Sequence, residues 1–154
     1  MRLLDVNKPV LKRDGEPLWE VLIDARNRIC LEPVNGEPRQ PKFQHQSFAK
    51  DDIPVMVERQ IGWIINFALD RTDASIKPEE GRLRFKLSMR IEDAMRHKVP
   101  LLIDKKDEDR IEAAADLLVE VNHMFMQRIY EAVESAGPPL TETAKPTAVK
   151  EAAE

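Results

Sequence analysis

At 154 residues, with 42% hydrophobic and 34% charged side chains, the chain has the size and mix of one soluble globular domain with a modest core. A net charge of -4 argues against a dedicated nucleic-acid binder, and the single cysteine, Cys30, excludes an internal disulfide and a cysteine-built zinc site. The longest apolar stretches, near residues 61–69 and 117–121, are too short to span a bilayer, and the opening Met-Arg-Leu-Leu-Asp lacks the apolar core of a signal peptide, so a cytoplasmic protein is expected.

The first fifty residues read as a β-meander and loop. Asp14-Gly15 between two short apolar runs is a hairpin signal, and Leu18-Trp19-Glu20-Val21-Leu22-Ile23 follows as a strand. The stretch Asp24-Ala25-Arg26-Asn27 is a turn in side chains that tolerate turn geometry, and residues 28–32 return antiparallel. Asn35-Gly36 marks another turn, and Pro33, Pro38 and Pro41 discourage helix, leaving residues 33–51 as loop or irregular edge.

Helices are expected from residue 51 onward. Asp51 and Asp52 stand where an N-cap belongs, with Pro54 in the first turn, and the helix should run to about Leu69. Its buried face would carry Val57, Ile61, Ile64, Ile65 and Ala68. Trp63 and Phe67 widen that face, so the helix sits in the middle of the core or covers an interface. Pro78-Glu79-Glu80 opens a second helix, with acids at its positive end, and Lys98-Val99-Pro100 closes it. Residues 101–103 form a short apolar connector or strand, Asp104 caps a third helix, and Asn122-His123 kinks it or divides it from a fourth that stops at Gly137-Pro138-Pro139. Residues 138–154, poor in large apolar groups, cannot offset their ordering entropy and are expected to be a disordered tail. The expectation is one α+β domain over residues 1–137, with a β-meander packed on about four helices.

No catalytic, cofactor or metal motif accompanies these elements. His45, His97 and His123 lie in different elements without ligand spacing, no glycine pattern cradles a phosphate, and Cys30 has no placed base. The acids Asp107, Glu108, Asp109 and Glu112 alternate with Lys105, Lys106 and Arg110, as a self-neutralising helix end does. The chain is therefore read as a non-enzyme without cofactor.

Two features point to partners. In the second helix, Arg82, Arg84, Lys86 and Arg90 form a basic stripe, with His97 beyond it. That stripe either solubilises an outer face or meets phosphates or an acidic protein. Glu92 and Asp93 interrupt the field, and no aromatic platform is interleaved as single-strand binders require. The second feature is apolar: Trp63 and Phe67 on the first helix, with Met124, Phe125, Met126 and Tyr130 on the last. These side chains face each other across the core or mark an interface with another protein or a second copy.

The run Leu4-Asp5-Val6-Asn7-Lys8-Pro9, then Asp14-Gly15-Glu16-Pro17-Leu18, resembles the opening of a set of small proteins of tailed bacteriophages and prophages. Their later Arg/Lys-Leu-hydrophobic helix is matched by Arg82-Leu83-Arg84-Phe85-Lys86-Leu87, and their closing helical pair by residues 107–118 and 125–133, while residues 19–50 are longer than the usual form. The resemblance implies a virion-assembly or accessory protein, similar in role to tail-assembly chaperones, and carries over no catalytic residue. Its partner would be a phage or host protein, and the alternative is a nucleic-acid-binding regulator using the basic helix.

Overall fold

A computed structural model describes residues 1–71 and 75–138 of the chain. In chain order the elements are β1 (Arg2–Leu4), β2 (Trp19–Val21), β3 (Met56–Glu58), α1 (Ile61–Leu69), α2 (Pro78–His97), β4 (Leu101–Ile103), α3 (Lys105–Asp116) and α4 (His123–Glu134). The class is α+β. The expected tail at 138–154 falls outside the described residues except for Pro138.

α1 is the pivot. Seven of its nine residues are buried, because Ile61, Ile64, Ile65, Ala68 and Leu69 leave no wide polar face, and an all-round apolar helix belongs at the centre. It packs on α2, α3 and α4. Leu87, Ile91 and Ala94 of α2, Ile111, Ala114 and Ala115 of α3, and Ile129 and Val133 of α4 close around it. α3 begins with a capping box, Asp104 accepting from the Asp107 amide at 2.8 Å and Asp107 accepting from the Asp104 amide at 3.1 Å. Asn122 caps α4 by accepting from the Phe125 amide, so the expected division at Asn122-His123 is real.

The strands pair over long range rather than in a simple meander. β1 lies antiparallel to β4, with Leu3 opposite Leu102, and Gly137 returns to bond Leu3 in both directions at 2.8 and 2.9 Å. Arg2 ties this end down through Glu108 at 2.8 Å and the carbonyls of Glu134, the last residue of α4, and Ala136 just beyond it. β2 lies antiparallel to β3 across a long excursion, with Glu20 opposite Val57. All three expected turns form: Lys12 to Glu16, Asp24 to Arg28, and Val34 to Glu37, where Asn35 and Gly36 both take positive φ.

Three extended segments meet in a ring of backbone bonds. Leu22 donates to the Val55 carbonyl at 2.8 Å, Val55 to Cys30 at 2.9 Å, and Cys30 to Leu22 at 3.0 Å. Cys30 is half-buried at this junction. The helix expected from Asp51-Asp52 does not begin there, because residues 53–59 are drawn into pairing with 18–22 and 30–32. Asp52 instead anchors the loop. Its buried carboxylate accepts from Lys42 Nζ at 2.6 Å, from the Ala49 amide at 2.7 Å and from Arg39. Those donors, Lys42 foremost, hold its pKa at about 2, below the ordinary 3.8.

Candidate protein-binding surfaces

The expected basic stripe does not survive whole. A helix turn advances 100° per residue, which places Arg84 with Leu87, Ser88 and Ile91 on the buried side of α2. Arg84 is buried, bonded to Glu80 at 3.2 Å, and its Nη1 has no hydrogen-bond partner among the described residues. Arg110 of α3 grips the same Glu80 at 2.8 and 3.2 Å. Those two guanidiniums, Arg110 first, hold the Glu80 carboxyl below its ordinary range. Arg90 is also committed, reaching both oxygens of Asp107 at 3.2 Å and the Leu102 carbonyl at 2.7 Å. Of the four stripe cations, only Arg82 and Lys86 remain exposed without an ion pair among the described residues.

The expected apolar set divides. Phe125 is core, 4% exposed, meeting Trp63 and Phe67 edge-on with ring centroids 6.2 and 6.0 Å apart. Trp63 and Phe67 stack on each other at 5.8 Å and are half-buried. The two helices therefore do face each other across the core. Tyr130, also half-buried, donates its hydroxyl to Asp116 at 2.5 Å, and that bond pushes its pKa up to about 12.

Two surfaces replace these expectations. The first is the outer face of α2. Phe85, 66% exposed, and Met89, 53% exposed, lie one turn apart, with Arg82 and Lys86 interleaved at three- and four-residue spacing. Phe85 supplies the exposed aromatic among cations that the sequence reading found missing. One turn further on, Asp93 and Arg96 neutralise each other at 2.5 Å, so the positive field is confined to the first half of the helix.

The second surface lies along β2. Trp19, Val21, Leu22, Ile23, Met56 and Trp63 line an open trough of about 810 Å³. Trp19 is 53% exposed and Ile23 45% exposed. Arg59 floors one end, its guanidinium 4.0 Å from the Trp63 ring centroid and its Nε bonded to Glu20 at 2.8 Å. Sequence reasoning placed the cations of the first surface but missed its apolar pair and the whole of the second, although each left a signal. Phe85 and Met89 fall outside the register of Leu87, Ile91 and Ala94, and residues 18–23 are apolar on both faces of a strand.

Among the described residues no group of histidines, cysteines and carboxylates is arranged to hold a metal ion. No described helix is long and apolar enough to cross a membrane. Comparison with known proteins finds no matching family model, and no matching curated protein or solved structure.

Proposed function

We propose that this chain is a non-enzymatic accessory protein that binds an acidic, apolar segment of another protein on the outer face of α2. The observation that carries this reading is the pairing of Phe85 with Met89, both more than half exposed and flanked by the unpaired cations Arg82 and Lys86. Adjacent apolar side chains supply affinity by burial, at roughly 25 cal/mol per Å² removed from water. The flanking cations steer an acidic partner and fix its orientation. An amphipathic helix with acids beside its apolar stripe has the matching chemistry. In the setting that the sequence resemblance implies, the partner is a phage or host protein met during assembly.

The rival reading, a nucleic-acid-binding regulator, draws support from Phe85 exposed between two cations, a platform on which a base could stack. Against it stand the withdrawal of Arg84 and Arg90 into ion pairs and the nearby exposed Glu79, Glu92 and Asp93. Affinity capture from the native cells, with and without nuclease, decides between them. A protein captured after nuclease, lost with Phe85→Ala/Met89→Ala and weakened by Arg82→Glu/Lys86→Glu, supports the first reading. Nucleic acid recovered in its place, with affinity falling steeply as salt rises, overturns it.

A further inference from the structure

We propose that β2 is a self-association edge, pairing antiparallel with β2 of a second copy to join two two-stranded sheets into one of four strands. This does not rest on the α2 reading. The backbone groups of residues 18–23 point alternately to the two sides of the strand. Leu18 accepts from the Arg59 amide at 2.9 Å and Leu22 donates to the Val55 carbonyl at 2.8 Å, which makes Trp19–Glu58 and Val21–Met56 the non-hydrogen-bonded pairs of the ladder. Ile23 holds the same kind of position opposite Ile29, between the bonds Asp24 to Arg28 and Cys30 to Leu22. The amides and carbonyls of Trp19, Val21 and Ile23 therefore all turn away from their partners, toward one edge. None of these six groups has a hydrogen-bond partner among the described residues.

Natural sheets guard such edges with proline, outward lysine, bulges or a covering element. Among the described residues this edge has none of them. Residues 18–23 contain no proline and no basic residue, and their one charge, Glu20, is tied to Arg59. The trough of about 810 Å³ runs along the same residues, so an incoming strand meets open space.

The edge complements itself. A two-fold axis through Val21 sets Val21 opposite Val21, Trp19 opposite Ile23 and Glu20 opposite Leu22. The outward residues 19, 21 and 23 then fall into hydrogen-bonded pairs, giving six new backbone bonds. Each Trp19 gains an aromatic-to-β-branched cross-strand neighbour, a favoured pairing, and the two Glu20 carboxylates are not opposed. Beyond the strand, the Glu16 end of one copy lies toward the Arg26 end of the other, and neither side chain has an ion pair among the described residues.

The test is sedimentation of the full chain across a wide concentration range, joined to cysteine cross-linking. The expected wild-type species approaches twice 17.7 kDa as concentration rises. Val21→Pro deletes the central outward amide while leaving the bonds to β3 in place, so it should sediment as a folded monomer. Facing residues of a hydrogen-bonded pair lie about 5.5 Å apart at Cα, within the span of a disulfide. In a Cys30→Ser background, Val21→Cys should therefore cross-link under mild oxidation, while Glu20→Cys, lacking its counterpart opposite, should yield at least roughly tenfold less dimer. The cross-linking pair decides the matter even where Val21→Pro disturbs folding. A chain that stays monomeric overturns the proposal, including when the edge takes up an extended segment of another protein instead. So does a dimer that Val21→Cys fails to cross-link.

Discussion

Replacing Phe125 by alanine separates a core residue from an interface residue, because the two roles predict different measurements. Phe125 is 4% exposed and meets two rings edge-on, at 6.2 Å to Trp63 and 6.0 Å to Phe67. Truncating a buried phenylalanine costs about 3–5 kcal/mol, the transfer and cavity terms together. Each favourable ring pair is worth about 0.5–1.5 kcal/mol beyond area, which places this site in the upper half of that range, at about 4 kcal/mol. For a denaturation slope of about 2 kcal/mol per molar urea, the midpoint should fall by about 2 M. The assay is urea unfolding followed by Trp fluorescence, with Phe85→Ala as the control. An exposed residue without intramolecular partners changes stability by about 0.5 kcal/mol or less, so that control should move the midpoint by no more than about 0.25 M. A Phe125→Ala shift below about 0.5 M would refute the assignment of this side chain to the core.

Three further outcomes follow from the same geometry. Gly62→Ala should destabilise the protein by about 1 kcal/mol although alanine is the better helix former, because overpacking costs about 1–3 kcal/mol against a propensity gain of about 1. The added Cβ would lie 2.5 Å from Met95 Sδ and 3.0 Å from Ile91 Cγ2; a Met95→Ala background should relieve much of the loss, and equal costs in both backgrounds would sink the explanation. The Asp52 carboxyl should titrate at about 2 by NMR; since its folded pKa lies below the ordinary 3.8, its contribution to holding residues 39–52 is full above pH 3.8 and fades as pH falls toward 2, and titration near 4 would remove Lys42 and Arg39 as its partners. Tyr130 is the chain's one tyrosine, so its phenolate absorbance reports one group: titration should centre at about 12 rather than 10, with its stabilising share intact below pH 10 and lost as pH rises through 12, and Asp116→Asn should bring the midpoint back toward 10.

Local signals in the sequence were reliable where a residue acts on its own neighbours. The Asp-Gly and Asn-Gly turns, the Asp104 box and the Asn122 cap each satisfy backbone groups within a few residues, so their geometry is written in the spacing. The start of α1 was not legible in that way. Asp51-Asp52-Ile53-Pro54 has helix-start chemistry, yet Asp52 is bound by Arg39 and Lys42 from the preceding loop, and strand pairing to residues 18–22 captures 56–58. Both are decided by long-range partners. Arg84 shows the same limit, since a cation at stripe spacing is buried once Glu80 and the packing of α1 against α2 are in place. Of the expected sites, the cations Arg82 and Lys86 keep the surface position assigned to them, while Phe125 moves to the interior.

The distribution of aromatic rings ties the two proposed surfaces together. The chain has eight Phe, Trp and Tyr residues, and of these only Phe125 is fully buried; the rest of the core is aliphatic. Five of the others are engaged within the chain. Trp63 and Phe67 stack beside Phe125, Phe43 stacks on His45, Phe48 lies under Lys42, and Tyr130 bonds Asp116. Trp19 and Phe85 alone have no ring, cation or hydrogen-bond partner for their side chains among the described residues. A large ring left in water forgoes roughly 2 kcal/mol or more of burial, which a contact outside the chain would recover. One of the two stands on the unguarded edge of β2 and the other between the unpaired cations of α2, and the surfaces share no residue. A copy docked through Trp19 therefore leaves its Phe85 side chain uncommitted, and a self-associated pair would present two such faces to an acidic partner, raising avidity without a new contact wherever that partner can span both.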